Sequence, residues 1–381
     1  MKRRKNEKDN CFCINYFGIA ASNSASADNV RGINIDFVTI GHAGNAPDTQ
    51  VMDDGTTGYG AVGYDYRIGK YEVTNAQWNT FIAAASAPSG NPSKGYDQNT
   101  FYTGANQPTT NVSWYEAAQF CNYLTSGDKG LGAYQLGTDG SITVDRVSAI
   151  SAYGTVYVIP TEDEWYKAAY YKPDGSGYSL YANGLNTVPS PNGWNYAGDL
   201  YINTPWDVGT GTEEQNGTFD MMGNVWEWNE TLFDIESSVR SARGGSFYVV
   251  HNDYFTLAST ARHNMYPYDE YWTVGFRIAS VSKPDPIGEI LDFIDKSVAD
   301  GNLAPVKPGP AGEGQLGALI NMVKTAGELI KAEDMAGACG QLNAALRKTD
   351  GQATPPDFVT GPASTELAQM IQDLMTSLGC S

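Results

Sequence analysis

The chain has 381 residues and a formal charge of −19, from 24 Lys and Arg against 43 Asp and Glu. So acidic a surface excludes nucleic-acid backbones, whose counterions it has no means to replace, and disfavours anionic membranes. The length exceeds that of one ordinary domain, and 42 glycines with 24 tyrosines point to a loop-rich protein facing water.

The N-terminus opens with the basic flank MKRRKNEKDN, followed by the short apolar run CFCINYFGIAA and an A-x-A pattern, ASA, at 25–27. This order predicts an export signal over residues 1–27, hence a periplasmic, secreted or cell-surface protein. No other run approaches the roughly 18 apolar residues of a membrane span. Of five cysteines, Cys11 and Cys13 would leave with the signal, Cys121 lies mid-helix as a buried thiol, and Cys339 and Cys380 can pair in an oxidising compartment. The cysteine spacings and the scattered His42, His251 and His263 give no zinc site.

Short strand-like runs (INIDFVTI, YDYRIGKYEV, TVYVIP, VGFRIASV) follow, separated by glycine- and asparagine-rich loops. Three helices interrupt them. Thr74 with Gln77, Ser113 with Glu116, and Thr161 with Glu164 each fit the capping box, in which two side chains satisfy each other's orphan backbone N–H groups. Behind these caps Trp78, Trp114 and Trp165 recur with apolar partners at helical spacing, which predicts core anchors. After Ser280 the linker SKPDP introduces a stretch almost free of aromatics. Four amphipathic stripes there, led by Ile287, Leu316, Met335 and Leu367, predict a small helical bundle over 284–381.

The most informative stretch is TFDMMGNVWEWNE at 218–230. With YEVTNAQW at 71, QPTTNVSWYEAAQFCNYL at 107, PTEDEW at 160, RGGSF at 243 and GFRIAS at 275, it resembles the formylglycine-generating enzyme (sulfatase-modifying factor) family. The blocks keep the family's order and cover nearly all of 60–281. The resemblance implies an α+β, C-type lectin-like fold over 28–283, with two small twisted sheets and little regular secondary structure.

The family's copper-using enzymes place two cysteines three and eight residues beyond the serine of GGS. Here those positions are Val249 and Tyr254, which offer no thiolate, so no copper and no catalytic residue are expected. Trp226 and Ser246 match the residues flanking that site, so Trp226, Ser246, Val249 and Tyr254 are expected to wall a metal-free pocket. The iron-dependent sulfoxide synthases of the family take their histidines from an additional N-terminal helical domain, which is not seen here. The resemblance further implies structural calcium at Asp220, Gly223, Val225 and Glu227, and less directly at Asn195, Tyr196, Asp199 and Tyr201. Hard oxygen ligands suit that ion.

His251 with Asp253, and His263 near Asp269 and Glu270, read as surface loops, because no positioned nucleophile accompanies them. The run RHNMYPYDEYW at 262–272 has a paratope's mixture of tyrosines and adaptable polar groups. In the tail, IGEILDFIDKSVADGNL at 287 and GQLNAALRK at 340 resemble the FIMAH modules appended to bacterial extracellular proteins, which implies an accessory domain. The leading expectation is an exported, non-catalytic binder of an extracellular protein or polysaccharide, using a lectin-like pocket or tyrosine-rich rim. The alternatives are an oxidoreductase of the same family with a non-standard metal site, and a calcium-rigidified component of the cell surface.

Overall fold

A computed structural model describes residues 26–97, 101–188, 190, 193–196, 204–234, 236, 238–248, 254–283, 285–352 and 355–380. The chain divides into two compact units, the first ending at Ser282 and the second beginning at Lys283. No described helix is long and apolar enough to cross a membrane.

In the first unit, β1 (Ser26–Val30), β2 (Ile33–Ile40) and β3 (Tyr66–Gly69) form an antiparallel meander. β11 (Ala279–Ser282) and β6 (Thr155–Val158) complete a five-stranded sheet in the order β1-β2-β3-β11-β6. β2 buries Ile33, Ile35, Phe37, Val38 and Ile40. A second sheet of β10 (Val274–Gly275), β7 (Trp226–Leu232), β8 (Arg240–Arg243) and β9 (His263–Met265) has β10 parallel to β7 and antiparallel pairing elsewhere. A small ladder joins β4 (Tyr134–Leu136) to β5 (Ile142–Val144).

All three capping boxes are formed. Thr74 starts α1 (Asn75–Ala85), Ser113 starts α2 (Trp114–Ser126) and Thr161 starts α4 (Glu162–Tyr170), with both reciprocal bonds present in each. Such a cap contributes about 1 kcal/mol and sets the residue at which the helix begins. The tryptophans just behind the caps are buried: Trp78 stacks on Phe120, 5.7 Å between ring centres, while Trp114 and Trp165 are fully enclosed. A further helix, α3 (Arg146–Tyr153), was not foreseen from the sequence; Asp145 caps it and only Ala149 is buried. The fold of the first unit is thus two curled sheets with few helices and much loop.

The second unit contains α5 (Pro286–Ala299), α6 (Pro310–Lys331), α7 (Met335–Leu346) and α8 (Ser364–Ser377). Their apolar stripes meet in one core around Ile290, Ile294, Leu319, Val323, Leu342 and Leu367. Met335 departs from its stripe and is exposed. A two-residue ladder between β12 (Ala304–Pro305) and β13 (Val359–Thr360) pins the loops between helices. Cys339 on α7 is disulfide-bonded to Cys380, with Cα atoms 5.5 Å apart. α5 begins in the order expected of a helix start, with Asp285 as cap and Pro286 in the first turn.

Candidate functional site

The DMMGN turn, the GGSF segment and Asn195 converge on one another. Gly223 N–H donates to Gly244 O at 2.8 Å, and Phe247 N–H donates to Asn224 O at 2.8 Å. Asn224 N–H donates to Asn195 O at 2.9 Å. Gly223 has φ +86°, and a Cβ there would lie 2.4 Å from Asn195 O, so only glycine permits this approach.

Asn224 is the hub that spacing alone does not reveal. Its side-chain amide donates to both oxygens of Glu72 at 3.1 Å, while its Oδ1 accepts from Asn195 Nδ2 and from Trp206 N–H. Glu72, Glu214, Asp220 and Glu227 are all buried around Arg277. Arg277 donates twice to Glu227 at 2.6 Å, and to the carbonyls of Gly69 and Phe219. Trp165 Nε1 donates to the same Glu227 carboxylate at 2.7 Å. Burial, reinforced by Asp220 and Glu227, raises the Glu72 carboxyl well above its ordinary value, and burial pushes Glu214 up to about 8 and Asp220 up to about 6.

This arrangement bears on calcium. Glu227 already holds a guanidinium cation and an indole donor, and Asp220 Oδ2 accepts from Gly209 N–H at 2.8 Å. Val225 is buried beside them. At the first implied calcium position, then, Glu227 is taken by Arg277 and Trp165, while Asp220 binds Gly209 N–H through one carboxylate oxygen. At the second, Asn195 and Tyr196 are buried, and Asn195 Nδ2 donates to Thr204 O. Asp199 and Tyr201 lie outside the described residues.

The expected pocket walls are only partly in view. Trp226 opens β7 half-buried, its ring 5.0 Å from that of His263 on β9. Ser246 is buried just beyond β8, its Oγ accepting from Tyr248 N–H. Tyr254 begins the short helical turn Tyr254–Leu257, and Val249, His251 and Asp253 lie outside the described residues. Asp269 accepts from Tyr266 N–H and Glu270 from Asp97 N–H, so neither carboxylate is turned to His263 by these bonds. Burial lowers the His263 pKa.

Behind the wall, Arg243 of RGGSF is fully buried and donates to Glu162 at 2.7 Å and to the carbonyls of Ser259 and Ala261. Arg262 donates to both oxygens of the same Glu162. Burial opposes ionisation of Glu162, yet these two guanidinium groups hold its pKa below the ordinary value. The GGS segment that follows β8 is thereby fixed from its buried side.

In front of it lies an aromatic surface. Trp272 contacts four rings: Tyr248 at 4.7 Å, Phe247 at 5.5 Å, Tyr102 at 6.4 Å and Phe101 at 6.5 Å between centroids. Phe247 is buried and anchors the group, whereas Phe101 is 68% and Tyr248 46% exposed. Asn75, at the start of α1, donates to Tyr102 O and Gly104 O and so ties the Phe101 loop to a helix. A separate pair, Tyr266 and Tyr268, stacks at 5.1 Å, and Lys94 lies over the Tyr268 ring.

A family model described as a sulfatase-modifying factor enzyme 1-like domain matches residues 45–281 of this chain. The chain belongs to that family. Among curated relatives, this sulfatase-modifying factor family member is 26% identical over 208 residues to the chaperone protein LppX of Paenibacillus barcinonensis, covering 48% of this chain and 69% of that protein. Among solved structures it is similar to Treponema denticola variable protein 1, with 20% identity, a TM-score of 0.47, and coverage of 68% of this chain and 99% of the other. CarF gives 23% identity and a TM-score of 0.49, covering 66% and 99% of the two chains. PvdO from Pseudomonas aeruginosa gives 17% and 0.45, covering 65% and 94%.

Proposed function

We propose that this sulfatase-modifying factor family member is an exported, non-catalytic binder of an extracellular protein or polysaccharide, held on the aromatic surface around Trp272. The observation that carries the reading is the contiguity of Phe101, Tyr102, Phe247, Tyr248 and Trp272, two of them exposed, with the Phe247–Tyr248 segment fixed from behind by Arg243. Rigid rings whose flat faces meet water bind at small entropic cost, and exposed apolar area concentrated in one place marks an interaction site.

The chemistry of the thiols supports binding over oxidation. Val249 and Tyr254 occupy the positions of the family's copper-binding cysteines. Cys121 is free but fully buried, and burial pushes its thiol well above the ordinary value, which suits neither a copper ligand nor a nucleophile. The LppX relative carries the name of a chaperone, likewise a binding role. The disulfide between Cys339 and Cys380 supports an oxidising compartment, as export requires.

Glycan and peptide arrays probed with the mature chain test this. The expected result is a ligand class whose signal falls at least tenfold in Trp272→Ala and in Tyr248→Ala, with melting temperature unchanged for the exposed Tyr248 variant. Stoichiometric copper together with oxygen consumption on a cysteine-containing peptide would overturn the proposal.

A further inference from the structure

In the second unit a groove of about 750 Å³ runs between the start of α5, the second half of α6 and the end of α8. Ile287, Leu291, Ile330 and Leu378 wall it; they are only half-buried, although three of them pack on the core of the bundle. Gly327 of α6 brings no side chain into the crossing with α5, and Ile287 lies where its Cβ would be.

The charges along this groove are unevenly engaged. Asp285 caps α5 by accepting from Ile287 N–H, and Glu328 pairs with Lys331 at 3.3 Å. Lys283 and Lys324 line the same groove, and among the described residues neither ammonium group has a hydrogen bond or an ion pair. Two unpaired ammonium groups beside an apolar channel, in a chain of net charge −19, call for an anion with an apolar body. Along α6 the backbone groups are bonded within the helix, and at the start of α5 the Ile287 N–H is taken by Asp285, so these walls offer little to an extended peptide whose N–H and C=O groups need partners. An alkyl chain has no such need.

We propose that the groove binds a single long-chain aliphatic carboxylate, its chain along Ile287, Leu291, Ile330 and Leu378 and its head group at Lys283 and Lys324. The volume lies within the range of small-ligand sites, roughly 300–1,000 Å³. Exposed lysines can be reversed in charge without disturbing the core, so the head-group role separates from folding.

Titration calorimetry on the full chain, with palmitate, octanoate and hexadecanol as probes below their aggregation concentrations, tests the proposal. We expect saturable palmitate binding, at least tenfold weaker octanoate binding, and at least tenfold weaker palmitate binding in the Lys283→Glu/Lys324→Glu double variant. Hexadecanol binding should be the same in both proteins, and the double variant should melt with the parent. Equal palmitate affinity in the parent and double variant would overturn the proposal. So would absence of saturable palmitate binding, or binding of an acidic amphipathic peptide in its place.

Discussion

Trp114 and Trp228 each donate to the backbone next to the other: Trp114 Nε1 to Asn229 O at 3.0 Å, one residue after Trp228, and Trp228 Nε1 to Val112 O at 2.8 Å, two residues before Trp114. Both side chains are fully buried, so α2 and β7 are latched through each other's backbone. Trp228→Phe leaves Val112 O without this donor and should cost about 1–3 kcal/mol, as should Trp114→Phe at Asn229 O. The double variant should lose less than the sum, because one latch carries both bonds. Urea unfolding of the four proteins measures this; strictly additive losses would contradict a shared latch.

Arg277 is the cation inside four buried carboxylates. Replacing it with leucine strands Glu227 and should destabilise the first unit by about 3–5 kcal/mol. Lysine should not rescue, since one ammonium does not reproduce the two-pronged bond to Glu227 together with the bonds to Gly69 O and Phe219 O. The same geometry predicts indifference to calcium. Calcium at a hundred times the dissociation constant of a native site would add about 2.7 kcal/mol; melting with and without a chelator should show no such gain.

Burial holds the Glu116 carboxyl at about 8, against an ordinary 4.5, with Asp97 adding to the effect. The folded protein keeps a proton that the unfolded chain releases, so this group's stabilisation is complete below pH 4.5 and is lost as pH rises through 8. Glu162 and Glu164 act in the opposite sense: their arginine partners lower both values, and that stability is lost as pH falls below 4.5. Glu116→Gln should preserve the cap, since Gln77 already performs that role for Thr74. The stability difference between parent and variant, followed by denaturant titration across pH 4.5 to 8, should change by a few kcal/mol. A flat difference would count against the buried acid.

The Cys339–Cys380 disulfide closes a loop across 41 positions of sequence. Its removal in Cys339→Ser/Cys380→Ser should destabilise the second unit by about 2–4 kcal/mol. Calorimetry should show one transition lowered and the first unit's transition unmoved.

Much of this was readable because its causes are local. The three capping boxes fixed helix starts through side chains three residues apart, and the tryptophans behind them followed the helical period into the core. α3 escaped because its cap, Asp145, has Ser148 instead of Glu or Gln at the return position, and because only Ala149 faces inward. The Asn224 hub escaped for a different reason. Its bond to Glu72 spans 152 residues, and no periodicity encodes a contact at that range. The paratope-like run was recognisable by composition, but Trp272 joins rings from two distant loops while Tyr266 and Tyr268 stack apart from them. The ligand set implied by resemblance does not reveal that Glu227 is paired with Arg277, 50 residues away in sequence.

β11 is the last strand of the first unit in sequence, yet it lies between β3 and β6 in the five-stranded sheet. A growing chain cannot close that sheet until residue 279 has been made; until then β3 and β6 each present an unsatisfied edge, open to pairing with a neighbouring copy. Synthesis from the N-terminus therefore leaves the unit unfinished almost to its end, a state hazardous for a chain that lingers at high concentration.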